Sequence, residues 1–514
     1  MRNQKLLLGL DIGTSGVKSI LINEMGETLA SAFADYPLST PKPNWVEQDP
    51  LDWWNATVKV IQKIISSPII SLNQLAGIGL SGQMHSLVIL GKNNAVLRPA
   101  ILWSDTRTDE ECAEINRTFD IELLKRTVAN PAIEGFTLPK ILWVRKHEPD
   151  VFNKIARVLL PKDHIRYKLT GEFAMEVSDA SGTLMFDVWK RKWSGELLQK
   201  LNLPETWLPA VFDSVDVCGR ILPEVSKLTG LPVGLPVVGG GADNTCGAVG
   251  TGVISEGQVL ASIGTSGVVF APTRTPKVEK EMRVHTFCHS VPQCWYAMGV
   301  MLMAGGALRW YKDTFAGEEI EKARVANKDV YDLITVEAET IDAGSEGLFF
   351  QPYLAGERTP HRSASARAAF LGATIRHTKA HFGRAVLEGL TFGMRDSLDI
   401  LRNNLGISIG QIRLTGGGAK SKFWRQLQAD IYGTEVALVN STEGPAFGAA
   451  LIAGAGTGVF ASLEEAVVQT IRVTERVQPD LKLSQRYDEY YRIYSGIFPN
   501  LKDCYSTIHK TFRT

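Results

Sequence analysis

The chain has 514 residues, with 55 Lys+Arg balanced by 55 Asp+Glu, 44% apolar residues and 21% charged residues. A formal charge of zero argues against a polyphosphate backbone as the main partner, so no nucleic-acid role is expected. The composition is that of an ordinary globular protein, and the length calls for two large domains or three ordinary ones.

The opening run MRNQKLLLGLDIG stops at Asp11 without a small-residue cleavage site and reads as a first strand, not a secretion signal. IGTSGV follows at Ile12–Val17, and VKSILI begins at its last residue. Apolar run, glycine-bounded turn, apolar run predicts a β-hairpin. Gly13, Thr14, Ser15 and Gly16 offer unencumbered backbone N–H groups and two hydroxyls, an arrangement that cradles anions. A single copy would read more readily as a plain turn.

Downstream, LDWWNATVKVIQKII has helical periodicity and AGIGLSG has strand character. GIGLSG satisfies GxGxxG, but strand signals lie within and after it and no helix opens from it, which excludes the dinucleotide-binding context. No GxxxxGK[ST] occurs in the sequence. SGQMHSLVIL supplies Gln83, Met84 and His85 between apolar runs, and ILWSDTR supplies Trp103, Asp105 and Arg107. Amide, imidazole and carboxylate near an aromatic face suit a polyol, whose hydroxyls need both donors and acceptors. The Gly/Pro-rich LPEVSKLTGLPVGLPVV reads as a linker before the midpoint. It leads into VVGGGADN, where Gly239, Gly240 and Gly241 let backbone approach a ligand and Asp243 is a candidate general base beside Asn244. At the ordinary carboxyl pKa of ~3.9, Asp243 would be anionic at neutral pH.

The hexapeptide IGTSGV then recurs at Ile263–Val268, 251 residues after its first appearance, again between apolar runs. Such a coincidence arises on the order of once in a hundred chains of this size at average residue usage. Two related halves, 1–250 and 251–514, account for it, and Gly264, Thr265, Ser266 and Gly267 form a second cradle. Two facing cradles make a cleft able to grip a nucleoside triphosphate from both sides. Asp11 precedes the first copy where Ser262 precedes the second. A carboxylate beside a phosphate cradle requires an intervening cation, and Mg²⁺ fits. HTFCH (His285–His289) lacks further spaced ligands and reads as strand.

In the second half, FGRAVLEGLTFGMRDSLDILRNNL and SKFWRQLQADIYG read as helices, and QIRLTGG and EVALVN as strands. LTGGGAKSKFW places Gly417, Gly418 and Ser421 between strand and helix, where a phosphate, ribose or adenine edge could sit. The uncharged stretch Gly444–Leu463 is long enough to span a membrane, but it is rich in Gly and Ala and lacks an aromatic belt, so a buried packed helix is expected. YDEYYRIYSGIFPNLKDCYSTI closes the chain as an amphipathic helix. Six cysteines without a CxxC pair fit a reducing, cytoplasmic setting.

Together these residues resemble the FGGY carbohydrate kinases, of the actin and hexokinase superfamily, over essentially the whole chain. GFTLPKILWVRKH (Gly135–His147), with Lys140 and Trp143, is similar to the family's first signature, and GERTPHRSASARAAFLG (Gly356–Gly372) to its second-half loop. The set SGQMHSLVIL, ILWSDTRT, LPKDHIRYKLTGE, SDASGT and GGGADN is most similar to the subgroup acting on D-xylulose. The resemblance implies an α/β fold of two actin-like, ribonuclease H-like domains around a deep catalytic cleft, with ATP mainly on the second. It implies transfer of the γ-phosphoryl group to the terminal hydroxyl of the sugar. Asp243 would be the base, Asp11 and Asp243 would hold Mg²⁺, and Met84, His85, Asp243 and Asn244 would line the sugar pocket. Gly264, Thr265, Gly305, Gly417, Gly418 and Ser421 would contact the nucleotide, and a homodimer is a family expectation. Ala242 stands where many relatives run from glycine straight into Asp-Asn, which leaves the register of that loop open. A kinase for gluconate, ribulose or another polyol, and an actin-like nucleotide switch, are the alternatives.

Overall fold

The computed structural model describes residues 4–67, 71–441 and 443–512. Leu6–Ile12 (β1) turns through Gly13–Ser15 and returns as Gly16–Asn23 (β2), pairing Asp11 with Lys18 and Ile12 with Val17. Thr28–Asp35 (β3) adds to β2, and Leu75–Gly82 (β4) lies parallel to β1 on its other side. Val217–Arg220 (β5), Pro236–Val238 (β6) and the short Gly241–Ala242 (β7) complete a seven-stranded sheet in the order β5-β6-β4-β1-β2-β3, with β7 also on β4. The expected linker is therefore not one. Pro223–Thr229 is a helix with Pro at its start and Gly230 in the left-handed conformation at its end, and the following residues are β6. Pro at a first turn and Gly just past a last turn punctuate helices as readily as they populate loops.

The second IGTSGV makes the same hairpin. Gly257–Ile263 (β8) and Gly267–Thr273 (β9) flank Gly264–Ser266 and pair Ser262 with Val268. With His285–Cys288 (β10), Trp295–Met301 (β11), Ile409–Gly416 (β12), Val436–Val439 (β13) and Val473–Val477 (β14) they form a second seven-stranded sheet in the order β10-β11-β9-β8-β12-β13-β14. The series β3-β2-β1-β4-β6-β5 in the first sheet matches β11-β9-β8-β12-β13-β14 in the second, with the same succession of antiparallel and parallel pairs. Even the end of the central pair corresponds: Ile12 lies beside Gly82, and Ile263 beside Gly416.

Helices cover both sheets. Pro50–Ile65 (α1), read correctly from its periodicity, packs Trp53, Val60, Ile61 and Ile64 onto the first sheet. Pro161–Thr170 (α2) and the five-residue Val177–Ser181 (α3) lie near the end of β4, and Asp243–Gly250 (α4) begins directly after β7. In the second half come Gly305–Phe315 (α5), Lys379–Asp399 (α6), Lys422–Tyr432 (α7), Pro445–Gly456 (α8) and the closing Leu481–Phe512 (α9). Strands β8 and β9 are buried on both faces. Val259, Ala261 and Val269 point to the core beneath α6, while Leu260 and Phe270 point to the helical segment 101–203 of the first half.

The stretch read as a buried helix is α8, but it packs across the molecule. It lies on β1 and β4 of the first sheet, and Ala446, Ala449, Leu451 and Ile452 share a core with Leu7, Ile20 and Val238. The backbone approaches so closely that a Cβ on Gly9 would stand 2.0 Å from the carbonyl oxygen of Ala446, and one on Gly79 1.9 Å from that of Ala449. Gly9 and Gly79 are neighbours across the β1–β4 pair, so together they cut the groove that receives α8. Helices α4 and α8 cross with equal intimacy, Gly448 lying against the carbonyl of Cys246. Among the described residues no helix is long and apolar enough to cross a membrane.

Candidate active site

Both cradles are held from behind by their carbonyls. The Gly13 carbonyl accepts from the Tyr36 hydroxyl and from Gln83 Nε2 (3.3 Å), and the Thr14 carbonyl accepts from Gln48 Nε2 (2.8 Å). In the second turn the carbonyls of Gly264 and Thr265 accept from the N–H groups of Gly305 (2.9 Å) and of Ala304 and Gly306 (3.0 Å each), at the start of α5. Among the described residues the N–H groups of Thr14, Ser15, Thr265 and Ser266 have no protein acceptor. Two pairs of free amide donors are what an oligophosphate needs.

The second cradle opens into a cavity of about 280 Å³ between α5, α7 and the glycine loop after β12. Gly264, Thr265, Gly305, Gly417, Gly418 and Ser421 all line it, so the structure brings together six of the nucleotide candidates. Leu308 and Trp424 give it apolar surface, and Tyr331 an aromatic wall. Ser421 also caps α7, its hydroxyl accepting from the Trp424 N–H (3.4 Å). Gly417 and Lys420 are shared with a second cavity of about 730 Å³, which reaches Asp243, Asn244, Ser262 and Gly444.

Asp243 stands at the first position of α4, and its Oδ1 accepts from the Asn244 N–H (2.7 Å) and Asn244 Nδ2 (3.1 Å). The register that Ala242 left open is settled by pairing: Ala242 lies beside Gly82. Gly240 makes the preceding bend at φ +71°, where a Cβ would stand 1.9 Å from the Leu80 carbonyl oxygen. The ordinary carboxyl pKa assumed from sequence does not hold. Burial, and then the neighbouring charge of Asp11, raise Asp243 to about 7. Burial raises Asp11 to about 6 against the weaker opposing influences of Ser81 and Lys18, and its Oδ1 has no hydrogen-bond partner. Two neighbouring carboxyls, each resisting ionisation and one with an orphaned oxygen, are a fitting environment for a divalent cation.

His85 occupies a left-handed backbone conformation (φ 67°), and its Nδ1 lies 2.7 Å from the Gly182 carbonyl. A carbonyl only accepts, so Nδ1 carries the proton and Nε2 keeps its lone pair. Burial lowers the imidazole to about 3, with Lys140 and Arg358 adding to the effect, so the ring is neutral at physiological pH. It stands edge-on to Phe136 (4.7 Å) and faces Phe287 of the second half. Asn244 Nδ2 reaches Met84 Sδ (3.5 Å), joining the Met84–His85 segment to the base. Trp103 is 37% exposed and donates from Nε1 to Thr14 Oγ1 (2.9 Å), so it stands beside the first cradle.

Two sugar-site candidates are corrected. Asp105 is fully buried, and its oxygens are taken by Arg107 and the Val46 N–H (2.6 Å). Gln83 is 1% exposed; its Oε1 accepts from Ser86 and its Nε2 donates to Gly13 and Gln48, so it shapes the cradle from within. Sequence reasoning passed over others. Lys140, fully buried, donates to the carbonyls of His85 (3.3 Å), Gly135 and Phe136 (3.1 Å) and so fixes the pocket wall. Arg358 reaches from the second half to Gly135, its Nη2 3.8 Å from where a Cβ of that residue would stand. Both lie in the two motif stretches, GFTLPKILWVRKH and GERTPHRSASARAAFLG, whose spacing alone assigns them no chemical role.

Residues 6–250 match the N-terminal domain of the FGGY family of carbohydrate kinases, and residues 259–457 match its C-terminal domain. The xylulose kinase of Bacillus subtilis is 40% identical over 99% of this chain and 99% of its own. The gluconokinase of the same organism is 30% identical, over 98% of this chain and 97% of its own. The crystal structure of xylulose kinase from Rhodospirillum rubrum superposes with a TM-score of 0.90 at 30% identity, covering 98% of this chain and all of that one.

Proposed function

Because the chain belongs to the FGGY family of carbohydrate kinases, we propose that it transfers the γ-phosphoryl group of ATP to the terminal hydroxyl of D-xylulose, giving D-xylulose 5-phosphate. The observation that carries the chemistry is that Asp243 neighbours Asp11, the carboxylate preceding the first free-amide cradle, and lines with Ser262 a cavity sharing Gly417 and Lys420 with the one at the second cradle. Full-length similarity to xylulose kinases, stronger than to gluconokinase, supports the choice of sugar.

Phosphoryl transfer asks a protein for positioning and charge stabilisation. In this reading, the adenosine end of ATP occupies the cavity between α5 and α7, and the phosphates lie along the N–H groups of Thr265 and Ser266 toward those of Thr14 and Ser15. Asp11 and Asp243 would hold Mg²⁺, which supplies positive charge to the transferring group when bound. Met84, His85 and Asn244 orient the sugar; the free lone pair of His85 Nε2 accepts from one sugar hydroxyl. Asp243, ionised, takes the proton of the terminal hydroxyl as the bond to phosphorus forms, and ADP leaves on the opposite side. Closure of the two halves excludes water that would compete for the phosphoryl group. All six cysteines are free thiols, five of them buried, which supports a reducing, cytoplasmic compartment.

A coupled ADP-release assay across D-xylulose, D-ribulose and D-gluconate tests the proposal. The highest kcat/KM is expected for D-xylulose; a higher value for gluconate would reassign the substrate, and sugar-independent ADP release at an equal rate would point to a nucleotide switch.

A further inference from the structure

The stretches LPKDHIRYKLTGE and SDASGT carried no chemistry in the sequence, yet they form α2 and α3, which enclose the loop that presents Asp243. That loop is pinned at both ends. At its start, the Gly239 carbonyl accepts from Arg166 Nη1 (2.8 Å) and Lys162 Nζ (3.5 Å). At its end, the Ala242 N–H donates to Ser178 Oγ (3.0 Å), one residue before the base. Ser178 Oγ in turn donates to Glu176 Oε1 (2.8 Å), so its lone pair is aimed at Ala242.

Glu176 is itself immobilised. Its carboxylate accepts from the N–H groups of Ser178 (2.7 Å) and Asp179 (2.9 Å) and from Ser214 Oγ (3.0 Å), and Lys162 Nζ lies 3.4 Å away. Glu176, Ser178, Lys162 and Arg166 are all wholly buried. Burying such charges is expensive, and apolar residues of similar volume would stabilise the fold at least as well. Their placement around a single loop therefore serves geometry. The far end of α3 gives the same message: the Gly182 carbonyl, one residue past the helix, holds His85 Nδ1. One short helix thus touches both the loop of the base and the imidazole of the sugar pocket.

We infer that Glu176 and Ser178 are positioning residues for phosphoryl transfer, fixing Asp243 through the Ala242 N–H and setting it in register with His85. This rests on the reading of Asp243 as the base. Neither residue touches substrate; the hydroxyl of Ser178 acts by holding backbone.

The test uses the full-length enzyme carrying Ser178→Ala or Glu176→Gln, with Asp243→Asn in parallel. Measured are kcat with D-xylulose, the calorimetric Kd for D-xylulose and for a non-hydrolysable ATP analogue, and the unfolding temperature. Ser178→Ala is expected to lower kcat about ten- to hundredfold, as displacements of the order of an ångström do, while both Kd values stay within about threefold of wild type. Glu176→Gln follows the same pattern and is judged alone if Ser178→Ala does not fold. A kcat within about threefold of wild type in both variants overturns the inference. So does a loss of turnover matched by an equal loss of both affinities, or failure of both variants to fold, since each marks a structural role. If Asp243→Asn itself keeps wild-type turnover, the reading of the base fails instead.

Discussion

Replacing Asp243 by Asn separates catalysis from stability in opposite directions. The amide keeps an oxygen for the Asn244 N–H and Nδ2 but cannot take a proton, so kcat should fall by about 10²–10⁴-fold. In the folded protein this carboxyl ionises at about 7, against 3.8 for an ordinary Asp. A raised carboxyl pKa means the folded chain binds the proton more tightly, so stability is complete below the unfolded pKa and drains away as pH rises toward 7. The full difference corresponds to roughly 4 kcal/mol at about 1.4 kcal/mol per pH unit. Most of the side chain is buried but its edge meets the cleft, and solvent screening there reduces the figure to about 2 kcal/mol. Without nucleotide and with EDTA present, Asp243→Asn should therefore unfold roughly 2–4 °C above wild type at pH 8. More than half of that gain should be gone at pH 5. Scanning calorimetry at the two pH values measures it. An Asn variant that is no more stable than wild type at pH 8, or equally stabilised at both pH values, would refute the argument that Asp243 is held against its own ionisation.

The sugar pocket and the frame give further expectations. His85→Ala should raise KM for D-xylulose about tenfold through the lost Nε2 acceptor, with KM for ATP within about twofold; equal loss for both substrates would contradict the placement of the pocket. Gly182→Ala should do likewise although Gly182 touches no substrate, because its Cβ would stand 2.8 Å from His85 Nδ1; an unchanged KM would show that the imidazole is not held where the structure puts it. In the pH profile of kcat/KM for sugar no limb near 6.5 should arise from His85, which titrates at about 3. A limb that disappears in His85→Ala would reverse that assignment. Gly79→Ala should lower the unfolding temperature sharply or abolish folding, since its Cβ would stand 1.9 Å from the Ala449 carbonyl oxygen and α8 must move by more than side chains can absorb; wild-type stability would mean that α8 does not lie in that groove.

Local instructions were the legible part of the sequence. The two IGTSGV turns carry the same glycines and hydroxyls, and both sit between apolar runs, so the paired hairpins followed from residues adjacent in the chain. The burial of Pro445–Gly456 followed from its lack of charge. That it lies on the first sheet did not, because the signal is the absence of side chains at Gly9 and Gly79, more than 360 residues away. Gln83 and Asp105 were misread for a related reason. A polar residue between apolar runs looks free in sequence, but the partners that claim it are distant: the Val46 N–H for Asp105, and the Gly13 carbonyl and Gln48 for Gln83. The segment Pro223–Val238 was misread because proline and glycine mark helix ends as well as loops. The raised pKa of Asp243 lay beyond the sequence, since it depends on burial and on Asp11, 232 positions earlier.

The claim on which everything depends is that both turns grip one triphosphate while Asp243 faces the acceptor. A crystal structure with D-xylulose, Mg²⁺ and a non-hydrolysable ATP analogue tests it directly. The phosphates should accept hydrogen bonds from the N–H groups of both Thr14 and Thr265, with the terminal sugar hydroxyl in hydrogen-bonding distance of the Asp243 carboxylate. Phosphates held by one turn alone, or a sugar whose terminal hydroxyl points away from Asp243, would contradict the account.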